Sequence, residues 1–407
     1  MAPASAPCPG AATDGPADSP TALRGRADRD AARLRSRRVP FDDIPRPAWD
    51  RLFSRTPCAT PFSGWEFHRA WWDAYGPTAH DEYLVFFGAS GGEDPAAGEI
   101  VAIAPLMHRH AIEADDLTSA TILRQTPHEP ATALRPTAKV VFFGASYHAD
   151  YATLLCDPAD LADVAAGLVA CLARVPDEGD PVTPWDAVDL RRLRHDDPAL
   201  AALEDAFRAA APARRWRVTR EQEDVCPILR IPDGGWEDLV QSLDRKDRHE
   251  LRRKMRRVES AGDVRFELVD DPVPFVDEFI AIHQAKWEDR GLFPDTPGGA
   301  RSSRFLHRLA ELHGRDGELR FGRLLVDGEM IFASLGFHSG TRVYFYNAGS
   351  RPEARELSPG VVGVAWYLRA LIDAGCRTFD FLRGDEPYKY TWGSIDEPLV
   401  RLLVTRA

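Results

Sequence analysis

The sequence predicts a tandem α/β fold, two lobes built alike. Three observations carry this: a chain of 407 residues, a set of strand and helix patterns that recurs twice in one order, and a Pro-Asp-Gly-Gly seam near Ile231–Gly235. A chain of this length exceeds one ordinary core and fits about two domains of roughly 100 to 200 residues. The expected boundaries are 1–37 for an Arg/Ala/Pro-rich disordered leader, 38–232 for the first lobe and 233–407 for the second.

In the first lobe a helix is expected around Gly64–Tyr75. Strands follow at Glu82–Phe87 and Ile100–Met107, joined by the glycine-containing turn Ser90–Gly98. After an irregular span come a strand at Asp150–Cys156, a helix at Leu161–Val175 and a strand at Trp185–Leu190. The second lobe opens with a helix at Val273–Arg290. Strands Leu319–Val326 and Met330–His338 hinge on Asp327-Gly328, a dipeptide suited to a two-residue hairpin. Strand Arg342–Asn347, helix Pro359–Ala374 and strand Arg377–Leu382 complete it. "WDAVDL" and "TFDFLR" hold the same place in the two lobes, each a strand entered from a helix and containing an aspartate.

Between the lobes, Asp238–Ser260 reads as one helix. Leu239, Leu243, Leu251, Met255 and Val258 recur at three- and four-residue multiples, and the other face carries Arg245, Lys246, Arg248, Arg252, Arg253, Lys254, Arg256 and Arg257. Such a face is either solvated or built to meet phosphate groups.

A formal net charge of -12 argues against a surface that coats nucleic acid as a whole, so any anion-binding face must be local. Cys8, Cys58, Cys156, Cys171, Cys226 and Cys376 form no C-x-x-C pair, which points to a reducing compartment rather than a disulfide framework or a zinc site. No apolar run spans a bilayer and Met1–Pro20 has no signal-peptide pattern, so the expected location is the cytoplasm. His108 and His110 have no companion cluster in the sequence and read as surface residues, so no metal is expected. "FGASY", with Gly144 and Ser146, lacks the second glycine of a nucleophile elbow.

The informative stretches lie near the C-terminus. Ser358 suits an N-cap and Pro359 the first helical position, while Gly360 and Gly363 keep the helix start small, so an anionic group can approach its N–H groups. The strand "VYFYNAG" precedes this helix and "TFDFLRGDEPYK" follows it. If the two strands are neighbours, the helix start and the loop Asp385–Lys389 face one crevice.

These segments, with "IHQAKWEDRG" and "LDRKDRHELRRKMRRVESAG", resemble the bacterial GNAT acyltransferase family labelled as involved in cellulose biosynthesis, related to the Fem-type aminoacyl-tRNA-dependent transferases. The resemblance implies tandem GNAT-like lobes, each a mixed, mostly antiparallel sheet flanked by helices. The donor site is expected in the second lobe alone, because the first-lobe helix at Leu161 lacks a Ser-Pro-Gly start and "WDAVDL" runs into Arg191-Arg192 without a D-E-x-Y-K cluster, which makes the first lobe a degenerate partner. The resemblance also implies transfer of an acetyl or other acyl group from acyl-CoA to an amine or hydroxyl of a small molecule or polysaccharide precursor. Tyr346, Asn347, Arg355, Ser358, Gly360 and Gly363 would then meet the donor. Asp385 or Glu386 would act as base, Tyr388 as acid for the thiolate and Lys389 as partner of a carboxylate or an anionic acceptor, with His283 an alternative base. Two other readings stand beside this one: an aminoacyl-tRNA donor held by the basic helix 238–260, and a non-catalytic GNAT-like binding protein of envelope-polysaccharide assembly.

Overall fold

The Asp327-Gly328 turn joins Leu319–Val326 to Glu329–Ser339 as a two-residue hairpin, with Val326 opposite Glu329. Both turn residues have positive φ, 51° and 82°, the type I′ requirement that an Asp-Gly pair meets. The computed structural model to which this hairpin belongs describes residues 34–88, 98–113, 116–120, 123, 134–174, 184–314 and 317–406. The expected leader up to residue 33 and most of the expected turn Ser90–Gly98 lie outside these. The chain forms two compact units, and the described parts of the C-terminal unit are Arg69–Gly76 and Asp224–Pro398.

In that unit the strand order is Val264–Val269, Leu319–Val326, Glu329–Ser339, Arg342–Ser350 and Thr378–Asp380, with Ile228–Arg230 beside the last. All neighbours are antiparallel except Arg342–Ser350 with Thr378–Asp380. A parallel pair needs a crossover, and helix Pro359–Asp373 supplies it. Alternation along Leu319–Val326 serves both faces of the sheet. Phe321 meets Phe275 and Phe279, whereas Leu324 shares a core with Tyr367, Leu368 and Leu371 of the crossover helix. Leu251, Met255 and Val258 of helix Arg245–Glu259 join that same core, so the predicted apolar stripe is buried.

The other unit comprises 34–68, 77–223 and 399–407. One sheet holds Arg35–Arg38, Leu84–Phe87, Ile100–Ala104 and Leu155–Cys156, all antiparallel. The other holds Leu399–Thr405, Ala187–Arg194, Lys139–Phe143, Leu106–His110 and His80–Asp81, and here Ala187–Arg194 runs parallel to Lys139–Phe143. Helix Leu161–Ala173 lies between that parallel pair in sequence, as Pro359–Asp373 does in the other unit. The mixed, mostly antiparallel sheets with flanking helices match the predicted class.

Several elements differ from expectation for local reasons. The strand expected over Ile100–Met107 is two strands in two sheets, broken at Pro105, which has no N–H to give a ladder. The helix expected over Asp238–Ser260 is Trp236–Ser242 and Arg245–Glu259, because Leu243 is extended and Asp244 takes the N-cap position. Only Leu155–Cys156 of the expected strand Asp150–Cys156 pairs. His108 and His110 are not an isolated surface pair, since His80 lies opposite His108 in the ladder and the three side chains converge. Helices Pro198–Arg214 and Pro297–His313 and the strands Trp216–Arg230 and Ile395–Arg406 were not anticipated.

Asp189 of "WDAVDL" and Asp380 of "TFDFLR" are both buried on the returning strand. Asp189 receives Arg401 through two hydrogen bonds of 2.6 and 3.0 Å, and Arg191 reaches it at 3.0 Å. Asp380 receives Arg342 at 2.7 Å. Removing one partner of such a pair strands a buried charge, while replacing both removes the need for pairing. Arg401→Met is expected to destabilise the protein by about 3 kcal/mol, and Arg401→Met combined with Asp189→Leu to recover most of it. Urea unfolding midpoints of the two variants check this.

Candidate functional site

The two parallel strands pair over only three residues each. Arg342, Val343 and Tyr344 face Thr378, Phe379 and Asp380. Beyond that point Arg342–Ser350 continues, bent by a bulge: Leu335 opposes Asn347 and Gly336 opposes Phe345, so Tyr346 is the extra residue. The other strand stops because Leu382 N–H turns back to Asp380 Oδ1 at 2.8 Å, with Leu382 at φ 58°. The chain then follows 225–227, Phe381 N–H donating to Pro227 and Gly384 N–H to Val225. The two strands thus part after Tyr344 and Asp380, with Phe345–Asn347 continuing one and Phe381–Gly384 leaving the other, while the Phe345 and Phe381 rings still meet edge-on at 6.2 Å.

Ser358 and Pro359 begin the crossover helix, but not by a side-chain cap. Ser358 sits at φ 56° and makes no side-chain cap hydrogen bond; its carbonyl accepts from Val361 and Val362. The two glycines also part company. A Cβ on Gly360 would meet nothing within 4 Å, whereas one on buried Gly363 would overlap the Phe332 ring. Gly363 therefore serves helix-to-sheet packing and leaves no room for a ligand. The first turn contains no acidic residue. Arg355 is exposed on the preceding 3-10 turn, Pro352–Leu357, and Arg257 of the basic helix donates to the Glu356 carbonyl at 2.6 Å. This contact brings the basic helix to the residues just before the crossover helix, a proximity that the sequence alone did not reveal.

His283 lies on helix Val276–Trp287, which runs against Arg342–Ser350. A Cβ on Gly349 would sit 2.7 Å from the His283 backbone nitrogen, and Trp287 Nε1 donates to the Ala348 carbonyl at 3.1 Å. The imidazole is buried, and burial first, then the charge of Lys286, lower its pKa to about 4 against a hydrogen bond to Asn347. At neutral pH it is an uncharged base. Burial also lowers the pKa of Lys286, a residue that sequence reading passed over and whose Nζ lies 4.3 Å from the Trp287 ring centre. His283 and Asn347 are thus brought together beside the Tyr346 bulge.

The cluster after Gly384 divides into parts. Asp385 is exposed. Tyr388 is 42% exposed, with its ring edge-on to Phe381 at 6.0 Å. Partial burial and then the Glu386 charge push its phenol upward, an effect that water at the exposed edge screens. Lys389 is buried, and its ammonium donates to the carbonyls of Leu382, Arg383 and Gly384 at 3.0, 2.8 and 3.0 Å, with Glu386 at 2.8 Å. Of the two partners expected for Lys389, the carboxylate is the one present, and the ammonium is committed to shaping the loop. A buried Asp within an apolar strand was the one signal in the sequence for this anchoring system.

Lys389→Met should leave three backbone carbonyls without their donor and cost about 2 to 4 kcal/mol. Lys389→Arg should recover little, since a planar guanidinium does not reproduce a compact ammonium. Thermal unfolding of both variants checks the clamp.

Residues 245–390 match the family of acetyltransferase (GNAT) domains. No curated protein matches the chain. Among solved structures, the crystal structure of FemX is similar over 90% of this chain and 96% of that one, at 12% identity and a TM-score of 0.54. A conserved protein of unknown function from Bacteroides thetaiotaomicron VPI-5482 is similar over 90% and 98%, at 13% identity and a TM-score of 0.49. At such identities the likeness to FemX is one of fold. Within the C-terminal unit, residues 245–390 are thus similar to a GNAT acetyltransferase domain, in a chain whose fold is like that of FemX.

Proposed function

We propose that the C-terminal unit binds acetyl-CoA or another acyl-CoA and transfers the acyl group to an amine or hydroxyl of a small molecule or polysaccharide precursor. The observation that carries this reading is the start of the crossover helix, where Gly360 faces open space and the first turn has no acidic residue, in a unit whose parallel strands part after three residues. A helix N-terminus favours phosphate through its N–H groups and dipole. The N-terminal unit supports the assignment by contrast: Asp157, Asp160 and Asp163 crowd the start of helix Leu161–Ala173, where they repel an anion. A cytoplasmic setting belongs to the same proposal.

In the transfer, the acceptor nitrogen or oxygen bonds to the thioester carbon, the C–S bond breaks, and the thiolate takes a proton. We assign the carbonyl oxygen to backbone N–H groups at the Tyr346 bulge, which is where a preorganised donor is worth most. Asp385 is the base, Glu386 being held by Lys389, and His283 is the alternative. Tyr388 supplies the proton for sulfur.

A second reading replaces the donor with an aminoacyl-tRNA, and the exposed cations Arg245, Lys246, Arg252 and Arg256 of the basic helix favour it. The two donors separate in a thermal-shift experiment. Coenzyme A at 100 times its dissociation constant should stabilise the protein by about 2.7 kcal/mol, and RNA should do so only under the second reading.

Gly360→Val is expected to fold as the parent does, because the space beside it is open and glycine and valine differ by only a few tenths of a kcal/mol, or about that, in helix propensity. Its coenzyme A affinity should drop, and titration calorimetry that finds the affinity unchanged would remove the phosphate role from this turn. Asp385→Asn and Tyr388→Phe should each slow thiol release by about 100- to 10,000-fold. Their stability should move by no more than about 0.5 kcal/mol. Wild-type turnover in both would transfer the chemistry elsewhere, and absence of any turnover in the parent despite donor binding would favour a binding protein.

A further inference from the structure

The N-terminal unit gathers three histidines that none of the roles assigned above uses. His108 and His110 are two apart on strand Leu106–His110 and so share a face. His80 pairs directly with His108 across the ladder. The His80 and His108 rings stack at 4.5 Å, each lies 5.5 Å from the His110 ring, and one nitrogen of each comes within 4.8 Å of the others.

Two buried carboxylates support the rings. Glu113 Oε2 lies 3.2 Å from His80 Nε2, while its Oε1 accepts the His110 backbone N–H at 2.6 Å. Glu82 Oε1 lies 2.8 Å from His108 Nδ1 and also meets Lys139, with Arg38 on its other oxygen at 2.9 Å. Nδ1 of His110 is buried and has no hydrogen-bond partner. Carboxylates behind imidazoles are the outer partners that fix ring orientation in metal sites.

We propose that His80, His108 and His110 bind one divalent transition-metal ion of the zinc class, which ties the two-residue edge strand His80–Asp81 to Leu106–His110. Three imidazoles select zinc, copper, nickel or cobalt over magnesium or calcium, which take oxygen ligands. A zinc tetrahedron with bonds of about 2.05 Å has ligand nitrogens about 3.4 Å apart, so the rings must draw inward. His80 can do this, because its side chain is 47% exposed and lies on an edge strand. Three nitrogens leave a fourth position for water. Glu82 is shared with Lys139 and Arg38, whereas Glu113 meets Arg109 only at 4.0 Å, so Glu113 is the carboxylate that offsets the ion.

The test uses the full chain without an affinity tag, stripped of metal and titrated separately with Zn²⁺ and Co²⁺. Calorimetry should find one ion per chain, Co²⁺ should give the visible absorption of a tetrahedral or five-coordinate site, and Zn²⁺ should raise the unfolding temperature. His80→Asn, on an exposed edge, and His110→Asn should each weaken binding by more than the roughly 10- to 100-fold typical of an outer partner, and Glu113→Gln by about that range. His195→Asn, an exposed histidine elsewhere, should leave binding unchanged. No Zn²⁺ binding, or binding that His80→Asn leaves intact, would overturn the site.

Discussion

Ending a parallel strand pair after three residues leaves buried backbone N–H and C=O groups without a ladder, and every one must find another partner. The C-terminal unit meets this constraint with two side chains. Asp380, fully buried and paired to Arg342, takes the Leu382 N–H; Lys389, equally buried, gathers the carbonyls of Leu382, Arg383 and Gly384. Between them they hold Leu382 at a φ of 58° and Gly384 at 108°. A left-handed leucine is unfavourable by itself and persists only where its surroundings fix it. The parting of the two strands thus rests on a loop whose shape is set electrostatically and whose exposed residues, Asp385 and Tyr388, are left at its surface.

The same economy of parts appears in the other unit with a different outcome. There Asp189 holds Arg401, and a helix again crosses from one parallel strand to the other. Its approach is acidic: Asp157 caps the 3-10 turn Pro158–Asp160 that leads into it, and Asp160 and Asp163 stand at the helix start, where they repel an incoming phosphate. The start of Pro359–Asp373 has neither an acidic residue nor a side-chain cap, and Gly360 faces open space. Neither helix has a side-chain cap, and the two starts differ in the charge that surrounds their first N–H groups.

Much of the architecture was legible because it follows local rules. Asp327-Gly328 specified a hairpin through backbone sterics, Pro359 specified a helix start, and the spacing of Leu251, Met255 and Val258 specified the buried face of a basic helix. The errors came where a side chain's partner is distant in sequence. Ser358 has the chemistry of an N-cap, yet the chain enters the helix through a left-handed turn in which its hydroxyl does not cap. Gly363 looks like a ligand contact and is a packing contact, because Phe332 comes from a strand 31 residues earlier. Lys389 has an expected carboxylate partner in Glu386, but its burial as a clamp was not legible, because three carbonyls converge on it only after the loop closes.

By itself the sequence determined the class of fold, the repeat, the hairpin, the crossover helix and the stretch in which charge replaces alternation, all of them consequences of dihedral preference and hydrophobic period within a few residues. Only the tertiary structure decided which of those charges are spent on the fold and which remain for chemistry. It also decided that His80 would lie against His108, 28 positions away, and that Arg257 would reach Glu356, 99 positions away. Strand register and helix docking are set by the burial of whole faces, and a sequence read in windows carries no term for that.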